Sequence, residues 1–530
     1  MRWRLLVAAY MLPLIFEVGW SITYVEDEQY WKAYGISELK NSLRFGGRSQ
    51  TSEKHAKNLV IFIGDGMGPN TVTAARIYNN GESGRLTFEK FPHIGLLKTY
   101  SVNKQVPDAA SATTAMFTGV KVNQRVIGLD AYHNLNDTAY CNEPMKIGLE
   151  TLATWAQQAG KHTGFVTNSR ITDATPAALY AQVSNRKWEC DTAIPANTRQ
   201  CKDIARQLIE DEPGRNFKVI MGGGRQSFVA NPEDTLKYVD KKVCVRSDGR
   251  NLVDDWIRDK NSKNSSYRYV TNLKDMISTN VETTDYVLGL FSEGWMPMDL
   301  KNQKTLPTLE KMTDMALQVL SKSESGFFLM VEGGSIDLAH HKSMAKQAIE
   351  ETFELDKAIN QTLHLLKLWN ILNDTLVVVT SDHASTLSIN GYPKRGKSIL
   401  GVAGTSLVDD VKYTTLTYSI GYAPKAIYTR LGKEVIRQDP TIYDTSGTFY
   451  NQVGIMEETG VHGGNDVVIY AQGPMGYLFH SIHEQSYVAH AVAYATKIGP
   501  YQNGLNNSTP PIFNISYLLL TTIMISFVCK

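Results

Sequence analysis

Asp337 and His341 stand four residues apart, a spacing that sets a carboxylate and an imidazole on one helical face. They follow Glu332, which an uncharged, strand-like run (FFLMV, residues 327–331) delivers into a Gly-Gly turn. An acid at the end of an apolar strand needs a cation or a partner to be tolerated there. Taken alone, the segment reads either as a metal site or as a helix N-terminus with acids near its positive end.

Two further segments repeat the design. NLVIFI (residues 58–63) runs into Gly64-Asp65-Gly66-Met67-Gly68, and TLVVVT (residues 375–380) runs into Ser381-Asp382-His383. Short β-branched runs of this kind read as buried parallel strands. Three strand ends thus carry ligand-type side chains, and open α/β sheets bind their ligands at the carboxyl ends of strands. Each run can be ordinary core followed by a polar turn; three together point to one crevice.

In chain order, GDGMG around Asp65, VEGGSID with the paired His340 and His341, TSDH around Asp382 and ETGVHGGNDV around His462 resemble the alkaline phosphatase family. The similarity runs over residues 58–501. The resemblance implies a phosphomonoesterase with two zinc ions and one magnesium ion, acting on phosphate esters, and usually a homodimer. Carried over by residue, one zinc takes Asp337, His341 and His462, and the other takes Asp65, Asp382 and His383. Magnesium shares Asp65 and adds Glu332 and Thr175, with Asp173 behind it. Arg186 matches the arginine that clamps the substrate phosphate. The sets make chemical sense: zinc accepts nitrogen and carboxylate ligands, magnesium prefers oxygen, and an arginine fork bonds two phosphate oxygens at once.

The chain departs from the family at the nucleophile. The family has Pro-Asp-Ser at a helix start, and here the stretch is Pro107-Asp108-Ala109-Ala110-Ser111. The methyl of Ala109 cannot attack phosphorus, so the covalent route is closed. Ser111 lies two helical residues on, about 200 degrees around the axis. Water activated at the metals remains able to attack, and a loss on the order of 10³-fold is expected. Ser385 stands where relatives usually have a second histidine, which implies weaker zinc at the Asp337 site by about 10- to 100-fold. Asp173 and Thr175 resemble the bacterial branch, and their oxygen ligands favour magnesium. Calcium is not expected, since beside Glu233 and the Phe291 carbonyl stand Ser292 and Pro307 where acids are needed.

The ends of the chain read as sorting signals. Arg2 and Arg4 precede an apolar run over residues 5–16, a secretory signal peptide assigned to residues 1–20. Residues 506–530 combine small residues, a spacer and an apolar tail, the pattern of a GPI-anchor signal, with a single membrane-spanning helix as the competing reading. The expected location is the extracellular face of the cell membrane. Removing Cys529 with the tail leaves Cys141, Cys190, Cys201 and Cys244. By resemblance Cys141 pairs with Cys201, while Cys190 and Cys244 are either a second bridge or free thiols. Sequons at Asn136, Asn264, Asn360, Asn373, Asn506 and Asn507 permit glycosylation in that compartment.

A hydrophobic share of 42% and a charged share of 20% fit a folded globular chain, and a net charge of +1 gives no electrostatic case for nucleic acid. Further strands are expected at 161–167, 217–221 and 466–471, with helices at 309–320 and 346–365. The expected fold is a three-layer α/β sandwich over residues 21–505, with a large, mostly parallel sheet flanked by helices. A small inserted crown domain is expected at about 386–451, and a helix at 31–41 resembles an arm that reaches a partner subunit. Three functions follow as alternatives: an impaired surface phosphomonoesterase, a non-catalytic phosphate or phosphoester binder, or a glycosylated platform without metal.

Overall fold

Alternation inside the apolar strands decides the layers. Leu59, Ile61 and Ile63 pack into one hydrophobic cluster, while Val60 and Phe62, pointing the other way, pack into a second. Phe328 and Met330 join the first cluster and Phe327, Leu329 and Val331 the second; Leu376 and Val378 separate from Val377 and Val379 in the same manner. A sheet buried on both faces needs helices on both faces.

The computed structural model describes residues 25–46, 54–142, 148–198, 200–230, 244–298, 302–424, 427–447 and 449–505. The leader at 1–20, the tail at 506–530 and Glu233 lie outside the described residues. Ten strands form the large sheet: β1 (Asn58–Gly64), β2 (His93–Lys98), β3 (His162–Arg170), β4 (Val219–Gly223), β5 (Tyr267–Val270), β6 (Tyr286–Leu290), β7 (Phe327–Gly333), β8 (Thr375–Thr380), β9 (Val467–Gln472) and β10 (Ser481–Glu484). Their order is β10-β2-β9-β8-β1-β7-β3-β4-β6-β5. Only β9 runs against its neighbours, pairing antiparallel with β8 and β2.

The helices that matter below are α1 (Glu28–Gly46), α2 (Ala109–Thr118), α3 (Ala174–Ala177), α4 (Leu309–Leu320), α5 (Ser335–His341), α6 (Ala345–Leu368) and α7 (Tyr487–Thr496). On α6 the buried Ala348, Thr352, Leu355, Ile359, Thr362 and Leu366 recur every three or four residues, the stripe of a helix lying on a sheet. Trp31 of α1 is buried against Val120, Val122, Val126, Leu129 and Leu149. Between Leu387 and Glu457 three small sheets stand apart from the large one. Both cysteine pairs are bridged, Cys141 to Cys201 and Cys190 to Cys244. No helix among the described residues is long and apolar enough to cross a membrane.

Candidate metal centre

Strand register gathers the acids. Ile63 on β1 is level with Glu332 on β7 and with Thr380 on β8, and Thr167 on β3 is level with Glu332. Asp65 and Asp382 each follow that row by two residues, so Asp65, Glu332 and Asp382 leave one edge of the sheet together. α5 begins two residues after β7 and carries Asp337 and His341 back over that edge.

The tightest group surrounds His383. Its Nε2 is 3.3 Å from Asp65 Oδ1 and 3.2 Å from Asp382 Oδ2, yet these three buried atoms make no hydrogen bond. Buried polar atoms are nearly always paired. Asp382 is held through its other oxygen, which accepts from the amides of Gly66 at 3.1 Å and His383 at 2.9 Å. Ligand-type atoms drawn together without bonding one another fit a shared cation.

A second group lies beside it. Asp337 Oδ2 is 2.8 Å from His341 Nε2 and 3.7 Å from His462 Nε2, and the two imidazole nitrogens are 3.4 Å apart. Each ring donates its far N–H to a backbone carbonyl, His341 Nδ1 to Gly460 at 2.6 Å and His462 Nδ1 to Pro107 at 2.8 Å. Both Nε2 atoms are thereby directed at Asp337; against the effect of burial, the Asp337 carboxylate raises His341 to about 9, so in the protein alone its Nε2 carries a proton that a metal would replace. Asp65, Asp382 and His383 bring one ligand atom each within 4.8 Å of the others, and so do Asp337, His383 and His462. The resemblance gives His383 to one zinc only. The geometry makes it common to both groups, with its ring stacked 3.5 Å from that of His462.

Charge in this pocket is poorly balanced by protein alone. Burial, followed by the charges of Asp382, Asp337 and Glu332, pushes the Asp65 carboxyl well above its ordinary range. Burial and then Asp337 push Asp382 up to about 7. Burial pushes Glu332 up to about 8 although the Thr167 hydroxyl works against it. Burial opposes ionisation of Asp337 too, but His341 and His462 hold its carboxyl well below the usual range. Burial, and next the neighbouring His462, keep His383 well below the usual imidazole value. Crowded carboxylates in a low dielectric either take up protons or bind cations.

Glu332 Oε2 accepts from the Thr167 hydroxyl and from Ser169 Oγ at 3.1 Å. The Thr175 hydroxyl is buried without a hydrogen-bond partner. Arg186 reaches two acids, Asp108 Oδ2 through Nη1 at 3.2 Å and Asp173 Oδ1 through Nη2 at 3.1 Å. Its side chain keeps 24% of its surface exposed, so the fork is open to a ligand. Ala109 is the first residue of α2 and is buried. Its predecessors tie the two halves of the site together: Pro107 orients His462 and Asp108 binds Arg186. Ser111 is occupied elsewhere, its Oγ donating to Asp108 Oδ1 at 2.9 Å. Ser385 Oγ accepts from the Leu387 amide at 3.4 Å.

A sequence profile described as alkaline phosphatase matches residues 56–498. The alkaline phosphatase of Gadus morhua is 39% identical over 489 residues, 89% of this chain and 98% of that protein. The chain belongs to the alkaline phosphatase family. The human tissue-nonspecific alkaline phosphatase is also 39% identical, with 89% of each chain covered. A membrane-bound alkaline phosphatase of Bombyx mori is 38% identical over 89% of this chain and 86% of its own. Among solved structures, the alkaline phosphatase of Thermus thermophilus superposes with a TM-score of 0.58 at 21% identity, covering 83% of this chain and 91% of that one. It shares the fold.

The structure brings the sequence-selected Asp65, Asp337, His341, Asp382, His383 and His462 into one cluster and adds neighbours that the sequence did not single out. In the sequence Asp108 signals only a helix start, and its bond to Arg186 is a contact between residues 78 apart. Arg170, Glu189 and Gln485, whose Nε2 donates to the Asp382 carbonyl at 2.6 Å, carry no local pattern. The Asp108 cap ahead of a small-residue run was the one available signal.

Proposed function

We propose that this protein is a metal-dependent hydrolase of phosphate monoesters at the cell surface, working without the serine nucleophile and at reduced rate. The observation that carries the reading is the placement of Ala109 directly after Pro107, which holds His462, and Asp108, which holds Arg186. Asp337, His341 and His462 would hold one zinc, and Asp65, Asp382 and His383 the other. Glu332, Thr175 and Asp65 would hold magnesium, with Asp173 behind them. When bound, the metals supply Lewis acidity to the attacking and leaving oxygens of an in-line displacement.

The chain's own residues do the rest. Arg186 binds two oxygens of the phosphoryl group, and its anchoring on Asp108 and Asp173 fixes the direction of its fork. Gly460 and Pro107 lock the tautomers of His341 and His462. Ala109 presents a methyl group, so no covalent phosphoryl-enzyme forms and water must be the nucleophile. The alcohol half of the substrate is left to whatever the open rim accepts.

The protein acts, in this reading, as a GPI-anchored homodimer; the membrane-bound relative in Bombyx mori supports the location. The same methyl group favours a second reading, a phosphate or phosphoester binder that retains the metal cage without turnover. One experiment separates the two. Purified protein with zinc and magnesium is given nitrophenyl phosphate, and nitrophenol release is followed beyond one equivalent per site. Slow, chelator-sensitive release past that point is expected. Release that stops at or below one equivalent supports the binder, and absence of bound zinc by elemental analysis refutes both.

A further inference from the structure

Arg186 is held by a carboxylate that is itself held. Asp173 Oδ1 accepts from Arg186 Nη2 at 3.1 Å and lies 3.2 Å from Arg170 Nη2, while also capping α3 through the Ala174 amide at 2.9 Å. Arg170 in turn is gripped by Glu189, with Nε to Oε2 at 2.8 Å and Nη2 to Oε1 at 2.9 Å. The Thr172 hydroxyl donates to the same Oε2 at 2.6 Å, and the Trp295 ring lies 5.0 Å from the Arg170 guanidinium. All of these charged groups except Arg186 are buried. The next residue, Cys190, is bridged to Cys244, so the loop that carries Glu189 is tied covalently to a distant part of the chain.

We propose that Glu189 and Arg170 are positioning residues for the phosphate-binding fork of Arg186. The inference rests on the proposed function above and extends it past the residues that meet the ligand. An isolated Asp173 would satisfy itself best by taking Arg186 in a two-bond fork, the strongest arrangement open to that pair. Arg170 competes for that carboxylate, its Nη2 lying 3.2 Å from the same Oδ1 that Arg186 bonds. Arg186 is then left with one bond to Asp173 and one to Asp108, using two of its five N–H donors. The remaining donors stay directed at the ligand. Glu189 makes the arrangement rigid, because a two-bond pair with Arg170, reinforced by Thr172, fixes the guanidinium plane.

A bland role is available to the same residues, since a buried ion pair can serve only to join a strand end to a loop. Removing one partner would then cost stability, because a lone buried charge is left behind. The test therefore removes both. Arg170→Gln/Glu189→Gln keeps the net charge and the hydrogen-bonding shape, and Glu189→Gln is the milder companion. Binding of inorganic phosphate to the metal-loaded full-length protein is measured by calorimetry, beside thermal melting and zinc content. The double variant is expected to melt as a folded protein with wild-type zinc, and its phosphate Kd should rise about tenfold. Glu189→Gln should show a smaller rise in the same direction. A folded double variant that binds phosphate within twofold of wild type would overturn the proposal. Arg186→Ala serves as the reference and should weaken phosphate about 100-fold. If Arg186→Ala binds phosphate normally, the phosphate-clamp reading itself is wrong and this inference goes with it. If Arg186→Ala is weak and the double variant is normal, only the inference is lost.

Discussion

Substituting Ala109→Ser should restore most of the chemistry that the methyl group removes. The position is the first turn of α2, immediately after the Asp108 cap, where serine is tolerated by the backbone. Its immediate surroundings are already committed to the site, with the Pro107 carbonyl on His462 at 2.8 Å and Asp108 on Arg186 at 3.2 Å. A hydroxyl added there replaces a diffusing water by a fixed nucleophile and divides one displacement into two easier ones. A gain on the order of 10³-fold in kcat/KM, or roughly 4 kcal/mol at the transition state, is expected. The substitution also has a stability signature. A buried hydroxyl without a partner costs about 1–3 kcal/mol, so the metal-stripped variant should melt below wild type, and added zinc should narrow the difference. The assay is nitrophenol release at saturating zinc and magnesium, with a burst of product from the variant and none from wild type. Two folded, metal-loaded proteins with rates within threefold of each other would refute the reasoning, as would a wild-type burst.

Other expectations follow from particular contacts. Gly66 has φ +66, and a Cβ there would sit 2.5 Å from Asp337 Oδ1. Gly66→Ala should therefore cost about 1–3 kcal/mol in denaturant melts and lower zinc content; normal zinc with normal stability counts against the geometry. The Cys141–Cys201 bridge spans a sequence separation of 60, so opening it through Cys141→Ser/Cys201→Ser should remove roughly 4 kcal/mol by loop entropy. A change below about 1 kcal/mol would contradict that account. Burial lowers the His490 pKa to about 4, and its Nδ1 is 2.6 Å from the Tyr501 hydroxyl. Because the folded value lies below the ordinary 6.5, the unfolded chain takes the proton first. This contribution to stability is complete above about pH 6.5 and is lost as pH falls toward 4. Wild type should lose about 2–3 kcal/mol more than His490→Gln between pH 7 and pH 4.5; equal losses by denaturant titration would exclude His490 as a source.

Much of the fold was readable before any coordinates because the central strands are continuous apolar runs. TLVVVT matches β8, buried along its whole length, and residues 309–320 match α4, whose buried Leu309, Met312, Ala316 and Leu320 alternate with polar positions at helical spacing. β2, β5, β6 and β10 were not expected: β5 and β10 are edge strands with Arg268, Ser481 and Ile482 facing solvent, and Gly95 and Gly289 interrupt the short apolar runs of β2 and β6. The ligand set was legible because each acid or histidine sits just past a strand or one helical turn from another.

The sequence by itself therefore determined the family, the sheet-forming runs, the identity of the ligand-type side chains and the absence of a hydroxyl at position 109. Local rules reach that far because they act over a few residues of chain. Only the tertiary structure decided that His383 belongs to both ligand groups and that Cys190 is bridged to Cys244. It likewise decided that Trp31 of α1 packs on its own chain, and that Arg186 is bonded to both Asp108 and Asp173. Most of those contacts join segments far apart in the chain, and their distances are set by strand register and helix packing, which no run of neighbouring residues encodes.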